Sequence, residues 1–390
     1  MSDGRPIYLD HQATTPLDPL AYDAMRPFLE ERFGNPHSTQ HAYGHEAEIA
    51  VEAARAQIAH VIGADPREIV FTSGATESNN LAIKGAARFV GNRRRHVVTV
   101  ATEHKCVLES AHALEREGFT VSVLPVQPSG LLDLAVLDAA ITDDTVLVSV
   151  MGVNNEIGVI QPLAEIGARC RARGVLFHTD CAQAAGKIPL DVEAMAIDLM
   201  SLSSHKMYGP KGIGALYVRR RPRVRLDPLL SGGGQERGLR SGTLPAFLCV
   251  GFGAACAVAE EVMDDERDRL AALAARLLEH IRKIPGTYLN GDPERRWPGN
   301  LNIAFAGIDA EALLETLAAD LAASTGSACS SAAVEPSYVL RALGLDDGRA
   351  AGSIRLGLGR WTSADEIDAV ATRLAAAVQN LRAGAQVSAA

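Results

Sequence analysis

Two short segments contain residue types that together could hold a cofactor through a covalent bond. One contains Asp180, Cys181 and Gln183, the other contains His205 and Lys206, and each follows a predicted strand. A lysine amine in such a position can form a Schiff base, and an aspartate can pair with a pyridinium nitrogen. These are the two groups that pyridoxal phosphate needs to act as an electron sink. A salt bridge between two strand ends is the alternative explanation for the same pair.

The segment TSGATE, residues 72–77, has the pattern of a phosphate-binding turn. It contains the end of a predicted strand, a tight turn and a helix start. Backbone N–H groups at a helix N-terminus attract anions, and nearby hydroxyls add further donors. An ordinary helix N-cap formed by the side chain of Ser73 or Thr76 is the alternative.

Two other predicted strands end in side chains that suit the remaining parts of such a cofactor. His104 follows one strand, where an aromatic ring could stack on a pyridine face. Asn155 follows another strand and supplies a neutral donor suited to a phenolic oxygen. Because ligands of parallel sheets bind beyond the carboxyl ends of the strands, we expect these loops to share one site.

Short apolar strands alternate with longer helical patterns over the first two-thirds of the chain. The predicted strands are Ile69–Thr72, Val97–Thr102, Val121–Val126, Val146–Met151, Val175–Thr179, Leu199–Ser203 and Gly214–Val218. The helices between them include Glu46–Ile62, Glu77–Phe89, Cys106–Glu117 and Leu163–Arg173. This alternation predicts an α/β fold in which helices flank a mostly parallel sheet. We assign residues 16–255 to this large cofactor-binding domain.

The pattern changes after about residue 255 and predicts a smaller C-terminal α+β domain. Its predicted elements are helices at Val258–Ile284, Ala310–Leu321, Ser337–Leu343 and Ser363–Leu381 and a strand at Ser353–Leu358. We group residues 1–15 and 256–390 in this small domain. Residues 322–333 have the sequence AASTGSACSSAA. Such small side chains bury little area, so we expect a mobile loop that carries the reactive Cys329.

Composition and missing motifs exclude several other classes of protein. The chain has 390 residues and a net charge of −9, which argues against a general nucleic-acid binder. Six cysteines without a C-x-x-C pair argue against a disulfide scaffold and a structural zinc site. No P-loop, dinucleotide fingerprint or run of about 20 apolar residues occurs. The N-terminus lacks the pattern of a secretory signal, so we expect a cytoplasmic protein with reduced thiols.

Four cysteines lie in apolar helical patterns and are interpreted as packing residues: Cys106, Cys170, Cys249 and Cys256.

Several longer motifs carry a family resemblance. They are GATESNN at residues 74–80, ATEH at 101–104, NNEIG at 154–158, HKMYGPKG at 205–212, GQERGLRSGT at 234–243 and GSACSS at 326–331. With these motifs in this order, the sequence resembles, almost end to end, a cysteine desulfurase of the NifS/IscS type. Such enzymes are class V aminotransferase-like proteins of the fold-type I group. The resemblance implies a fold-type I transferase with pyridoxal 5′-phosphate as cofactor and L-cysteine as substrate.

The resemblance implies a role for each residue around the cofactor ring. Lys206 would hold the cofactor covalently, and Asp180 would keep the ring nitrogen protonated. His104 would stack on the ring and help to move protons. Gln183 and Asn155 would contact the ring oxygen.

The resemblance also implies which residues bind the phosphate and the substrate. The phosphate ligands would be Ala75, Thr76, Ser203 and His205. Thr243 would reach the phosphate of the neighbouring subunit, which implies a homodimer. Arg355 would bind the substrate carboxylate through a bidentate contact, assisted by Asn35 and Asn155.

Cys329 would be the catalytic nucleophile. As a thiolate it would attack the substrate sulfur, giving L-alanine and a persulfide that passes to an acceptor protein such as an iron–sulfur scaffold. A loop that serves both the substrate and the acceptor must move.

We expect no resident metal, no direct nucleic-acid partner and no membrane; Cys329 is a candidate transient ligand of an iron–sulfur cluster. A selenocysteine lyase or a class V aminotransferase with the same cofactor site is the alternative. A sulfur carrier would keep Cys329 but would not need the Lys206–Asp180 pair.

Overall fold

The computed structural model describes residues 4–326 and 336–388. Its strands are β1 (Ile7–Tyr8), β2 (Ile69–Thr72), β3 (His96–Val100), β4 (Thr120–Leu124), β5 (Thr145–Ser149), β6 (Leu176–Asp180), β7 (Leu199–Ser203), β8 (Gly214–Val218), β9 (Thr287–Leu289), β10 (Asn300–Phe305), β11 (Leu321–Ala322) and β12 (Ser353–Gly357). Its helices are α1 (Pro19–Glu30), α2 (Ala42–Val61), α3 (Ala75–Val90), α4 (Lys105–Glu115), α5 (Leu134–Ala140), α6 (Leu163–Ala172), α7 (Ala246–Ile281), α8 (Ala310–Thr316), α9 (Tyr338–Ala342), α10 (Asp347–Ala351) and α11 (Ala364–Ser388).

Seven strands form one large sheet in the order β2-β8-β7-β6-β5-β3-β4. Six of them run in the same direction, and β8 pairs antiparallel with both β2 and β7. Every residue of β3, β5, β7 and β8 is buried. Continuous buried runs of this kind are typical of strands covered on both faces. The predicted α/β fold with a mostly parallel sheet is confirmed, and β2, β7 and β8 have the predicted bounds.

Helices pack on both faces of this sheet. Val70 packs in one apolar cluster with Leu81 of α3, whereas Phe71 packs in another with Ile58 of α2. Neighbouring residues of a strand face opposite sides of a sheet, so β2 contributes to both clusters. The sheet is therefore a rigid, doubly covered platform for the loops at its edges.

The N-terminal segment packs against the C-terminal part of the chain. β12, β10 and β9 form a three-stranded antiparallel sheet, and β1 pairs parallel with β11. The backbone N–H of Gly357 donates to the carbonyl of Leu9 at 2.6 Å. α7 runs without a break across the predicted boundary between residues 255 and 256. The division into two domains stays a prediction.

Three predicted helix bounds differ most from the structure. α7 begins at Ala246 rather than at Val258, because its first half is apolar and lacks the charged pattern on which the prediction relied. α8 ends at Thr316 rather than at Leu321, because Leu321 pairs with Ile7 in a long-range contact that local periodicity does not reveal. The last helix extends to residue 388, beyond its predicted end.

The described part of the chain contains one helix that is long and apolar enough to cross a membrane. This helix is α7, with a mean hydropathy of 1.7 over its most apolar window. It packs against α1, α2 and α11, and Phe252 and Leu277 on it are fully buried. These contacts give α7 a place in the core of the fold.

Candidate active site

The carboxyl ends of β2, β3, β5, β6 and β7 lie at one edge of the large sheet. The segments that follow these strands contain most of the predicted cofactor residues. Hydrogen bonds join the segments directly, since Asn79 on α3 donates to Asp180 and Asn154 donates to the carbonyl of Thr102. The segments after β2, β3, β5 and β6 therefore adjoin one another at this edge.

Asp180 ends β6 with its carboxylate held by two donors. Oδ2 accepts from Asn79 Nδ2 at 2.7 Å, and Oδ1 accepts from the backbone N–H of Ala182 at 2.9 Å. The residue is buried. Donors on both oxygens fix the carboxylate in one orientation. Asn79 lies within the GATESNN motif, but nothing in the sequence showed that it would support this carboxylate.

Lys206 follows β7 in a single turn of 3₁₀ helix. Its Nζ donates to the carbonyls of Gln12 and Ala13 at 2.6 and 2.7 Å. The amine therefore lies against the N-terminal segment, while the hydrogen bonds of the Asp180 carboxylate come from Asn79 and Ala182. These contacts do not support the explanation of the pair as a simple salt bridge between strand ends.

His104 is the N-cap of α4, and its ring is partly buried. Nδ1 accepts from the backbone N–H of Cys106 at 3.2 Å. Burial lowers the pKa of His104; the nearby Lys206 lowers it further and Asp180 opposes the shift. A neutral imidazole that accepts at Nδ1 carries its proton on Nε2. His104 is therefore set up as a neutral ring that can exchange a proton through Nε2.

Cys106 has more polar surroundings than the predicted packing role implies. Its Sγ lies 3.0 Å from His104 Nδ1 and accepts from Asn79 Nδ2 at 3.1 Å. Burial, reinforced by the charge of Asp180, raises the pKa of this thiol to about 12. The thiol therefore stays protonated and extends the hydrogen-bonded group around His104. By contrast, Cys170, Cys249 and Cys256 are buried, as predicted.

The start of α3 is an open anion cradle. Its N-cap is Gly74, which has φ 151° and makes no side-chain cap bond. An ordinary cap by Ser73 or Thr76 is therefore not present, and the first N–H groups of the helix, including that of Ala75, lack a capping side chain. Only glycine adopts this backbone conformation readily. Thr76 is exposed beside these groups.

Ser203 and His205 lie at the end of β7, next to Lys206. Ser203 is buried, and His205 Nδ1 lies 3.1 Å from the hydroxyl of Thr14. Burial, together with the charge of Lys206, lowers the pKa of His205 to about 4. A neutral His205 can donate to a bound anion without adding a full charge.

Arg355 and Asn155 lie next to each other. Arg355 on β12 donates to the backbone carbonyl of Asn155 at 3.0 Å and to Asp10 Oδ1 at 2.7 Å. Both the Oδ1 of Asn155 and the Nε of Arg355 are buried and have no hydrogen-bond partner among the described residues. Buried polar atoms are rarely unpaired, so these two atoms indicate where a polar ligand fits.

Two of the predicted residues are exposed and share no hydrogen bond with this group, and one lies outside the described residues. Asn35 is exposed in the loop between α1 and α2, and its side chain accepts from the backbone N–H of His37. Thr243 is exposed in the loop before α7. Cys329 and residues 327–333 of its loop fall outside the described residues.

These residues fit pyridoxal 5′-phosphate. The uncapped α3 start suits a phosphate, the fixed Asp180 carboxylate suits a ring nitrogen, and the Lys206 amine lies at the same edge. Gln183 donates to the carbonyl of Gln12, which also accepts from Lys206. Among the described residues, no group of three or more His, Cys, Asp or Glu side chains could hold a metal ion.

Comparison with known families agrees with this fold and site. The sequence profile of the family described as "Aminotransferase class-V" matches residues 7–370. The chain therefore belongs to the aminotransferase class-V family. Within this family it is 60% identical over 379 residues to a cysteine desulfurase of Mus musculus, covering 97% of this chain and 82% of that protein. It is also 56% identical to the cysteine desulfurase IscS of Rickettsia felis, covering 97% and 92%.

Solved structures give the same assignment. A NifS-like protein superposes with a TM-score of 0.90 at 35% identity, covering 96% of this chain and 99% of that one. The structure of SspA in complex with cysteine superposes with a TM-score of 0.81 at 38% identity, covering 91% and 99%. These similarities bear out the resemblance inferred from the motifs.

Proposed function

We propose that this protein is a cysteine desulfurase that removes sulfur from L-cysteine and leaves L-alanine. The observation that carries the proposal is the meeting of the Lys206 amine, the fixed Asp180 carboxylate and the neutral His104 ring at one sheet edge. The chain also contains Cys329 within a motif of the cysteine desulfurase family. Relatives that share 56–60% of their residues with this chain are cysteine desulfurases.

Pyridoxal 5′-phosphate would supply an electron sink that stabilises negative charge at the substrate Cα. The residues that would hold it are Lys206 through a covalent bond, Asp180 at the ring nitrogen and the α3 start at the phosphate. Gln183 and Asn155 would contact the ring oxygen. Ala75, Thr76, Ser203 and His205 would surround the phosphate.

His104 and Lys206 are suited to moving the substrate protons. Because the pKa of His104 is lowered, its ring is neutral at neutral pH, and with Nδ1 accepting from Cys106 it presents a proton on Nε2. Arg355 would bind the substrate carboxylate. Its Nε is unpaired and its Nη2 is shared with Asp10, so a bound carboxylate would compete with Asp10 for the guanidinium. Asn35 and Asn155 would assist Arg355.

Cys329 would receive the sulfur. Its thiolate attacks the substrate sulfur, an S–S bond forms, and the C–S bond of the substrate breaks. The electron pair of that bond stays on the carbon fragment, which takes up a proton and leaves as alanine. The sulfur remains on Cys329 as a persulfide for transfer to an acceptor protein such as an iron–sulfur scaffold.

The proposal includes a homodimer in which Thr243 of each subunit reaches the phosphate of the other. The exposed position of Thr243 is compatible with this role. The proposal also includes a cytoplasmic location; the unpaired state of the five described cysteines is compatible with it. Named relatives include mitochondrial and bacterial enzymes, and cell fractionation that found this protein outside the cytoplasm would contradict the proposed location.

The test is to load the purified protein with pyridoxal 5′-phosphate and measure alanine released from L-cysteine. The wild-type protein should bind the cofactor and release alanine. Lys206→Ala should lose both the covalently bound cofactor and the activity. Release of pyruvate or of an amino-group transfer product in place of alanine would contradict the proposal.

A further inference from the structure

A second lysine lies buried behind the cofactor site. Lys187 follows β6 by seven residues and is only 7% exposed. Its Nζ donates to Gln183 Oε1 at 2.9 Å. Burying a lysine is costly, so a buried ammonium needs a partner or a function that requires it there.

The contact with Lys187 fixes which end of the Gln183 amide faces the site. The oxygen of this amide accepts from Lys187, and its nitrogen donates to the carbonyl of Gln12 at 2.8 Å. A flipped amide would place its NH₂ group against an ammonium and its oxygen against a carbonyl. Both neighbours therefore select the same orientation, which leaves one N–H of the amide for a further acceptor.

The surroundings of Lys187 are rich in charge. Burial, and then the charge of Lys206, lower the pKa of Lys187 to about 7, while Glu266 opposes the shift. The titratable and charged groups that influence it or are influenced by it are Lys206, Glu266, Arg355, His11 and His205. Gln12 O accepts from both Gln183 and Lys206, so Lys187 is connected to the reactive amine through two intermediate groups.

We propose that Lys187 is a positioning residue that holds the Gln183 amide with its NH₂ group toward the cofactor ring oxygen. The proposal rests on the proposed function, since it needs a cofactor with an acceptor at that point. Lys187 acts through Gln183 and through its charge, and it does not touch the reacting atoms.

The test compares Lys187→Met with Lys84→Met as a matched control. Lys84 also donates to an amide oxygen four residues earlier, from Nζ to Asn80 Oδ1 at 2.7 Å. Cofactor affinity is measured by titrating the apoprotein with pyridoxal 5′-phosphate. Lys187→Met should weaken binding about tenfold, because the amide loses one of the two contacts that fix its orientation and its buried oxygen loses its donor. Lys84→Met should bind like the wild type.

Three other readouts separate positioning from a merely structural role. The pH midpoint of the visible absorption band of the bound cofactor should rise by about one unit in Lys187→Met. Loss of the positive charge of Lys187 should raise the pKa of the Lys206 nitrogen that holds the cofactor. The apoprotein should melt no lower than the wild type, since an apolar side chain replaces a buried charge. In a Gln183→Leu background, Lys187→Met should cause no further loss of affinity.

The proposal is overturned if Lys187→Met matches Lys84→Met in both affinity and pH midpoint. The proposal would also be overturned if Lys187→Met caused the same loss of cofactor affinity in the wild-type and Gln183→Leu backgrounds. A third contrary result would be an apoprotein melting temperature lowered enough in Lys187→Met to account for the whole loss of affinity. If Lys187→Met does not fold, Lys187→Arg keeps a cation at this position, and it should retain the wild-type midpoint. Failure of the proposed function would show separately, as a wild-type protein that binds no cofactor.

Discussion

The buried ion pair between Arg55 and Glu236 fixes the loop that leads to Thr243. Glu236 accepts from Arg55 at 2.7 and 2.8 Å and from the backbone N–H of Phe71 at 2.7 Å. The side chains of Arg55 and Glu236 are 4% and 2% exposed. Glu236 and Arg237 have positive φ angles of 49° and 58°, which cost energy in residues other than glycine. The carboxylate therefore holds a strained turn against α2 and β2.

Replacing Glu236 with alanine should destabilise the protein strongly. Breaking a buried pair by removing one partner costs about 3–5 kcal/mol, because it leaves an uncompensated buried charge. Arg55 would keep Glu52 Oε1 at 3.0 Å and the carbonyl of Ile69 at 2.9 Å. We therefore expect the lower end of the range, about 3 kcal/mol of unfolding free energy.

The assay is urea denaturation of the apoprotein at one fixed protein concentration, with Glu117→Ala as the control. Glu117 makes a bidentate contact of the same kind with Arg88, at 3.0 and 2.7 Å, but on the surface. An exposed pair contributes at most about 1 kcal/mol, so Glu117→Ala should change little. The double variant Arg55→Met/Glu236→Leu should recover most of the loss, because no buried charge is left unpaired.

The reasoning would be refuted by a Glu236→Ala loss no larger than that of Glu117→Ala. It would also be refuted by a double variant as unstable as Glu236→Ala alone. The Glu236→Ala protein should in addition bind pyridoxal 5′-phosphate more weakly as a dimer, if the loop carries Thr243 to the partner's phosphate.

Three more predictions concern the site and the core. Asp180→Asn should keep the cofactor bound through Lys206 but slow alanine formation about 10²–10³-fold, as loss of a preorganised electrostatic contact does; a rate within a factor of about three of wild type would be evidence against the assigned role. Arg355→Lys should raise KM for L-cysteine about tenfold by losing bidentate geometry, with kcat less affected; steady-state kinetics that show the reverse split would contradict carboxylate binding. His178 is fully buried and its pKa is lowered to about 3, so unfolded His178 binds a proton below about pH 6.5 while the native residue stays neutral. Stability should therefore fall as pH drops from about 6.5 toward 3, and His178→Gln should make that slope shallower by about 1.4 kcal/mol per pH unit in urea titrations; an unchanged slope would show that His178 is protonated in the native state.

The sequence predicted the large sheet well because its strands are continuous apolar runs. The end of α8 was missed because the β1–β11 pairing joins residues more than 300 positions apart. The first half of α7 was missed because an apolar helical segment lacks the polar face that marks an amphipathic helix. Local patterns indicate burial and periodicity, but they do not show which distant segments meet.

In the candidate site, too, local sequence patterns predicted some residues, whereas contacts between distant segments could not be predicted. Lys206, Asp180 and His104 could be predicted because their side chains have distinctive chemistry at strand ends. Asn79 and Lys187 could not be assigned roles, because their importance lies in what they contact, namely Asp180 and Gln183. The contacts of Lys206 with the backbone carbonyls of Gln12 and Ala13 could not be predicted, because every residue has such a carbonyl whatever its side chain.

The central claim is that sulfur moves from L-cysteine to Cys329. The most direct measurement mixes the cofactor-loaded enzyme with L-cysteine labelled in its sulfur, without reductant or acceptor, and locates the labelled persulfide by peptide mass spectrometry. The account predicts a single labelled persulfide at Cys329, formed in equal amount with alanine, and none in Cys329→Ser. Labelled sulfur on another cysteine, or undiminished formation of a protein persulfide and alanine by Cys329→Ser, would contradict it.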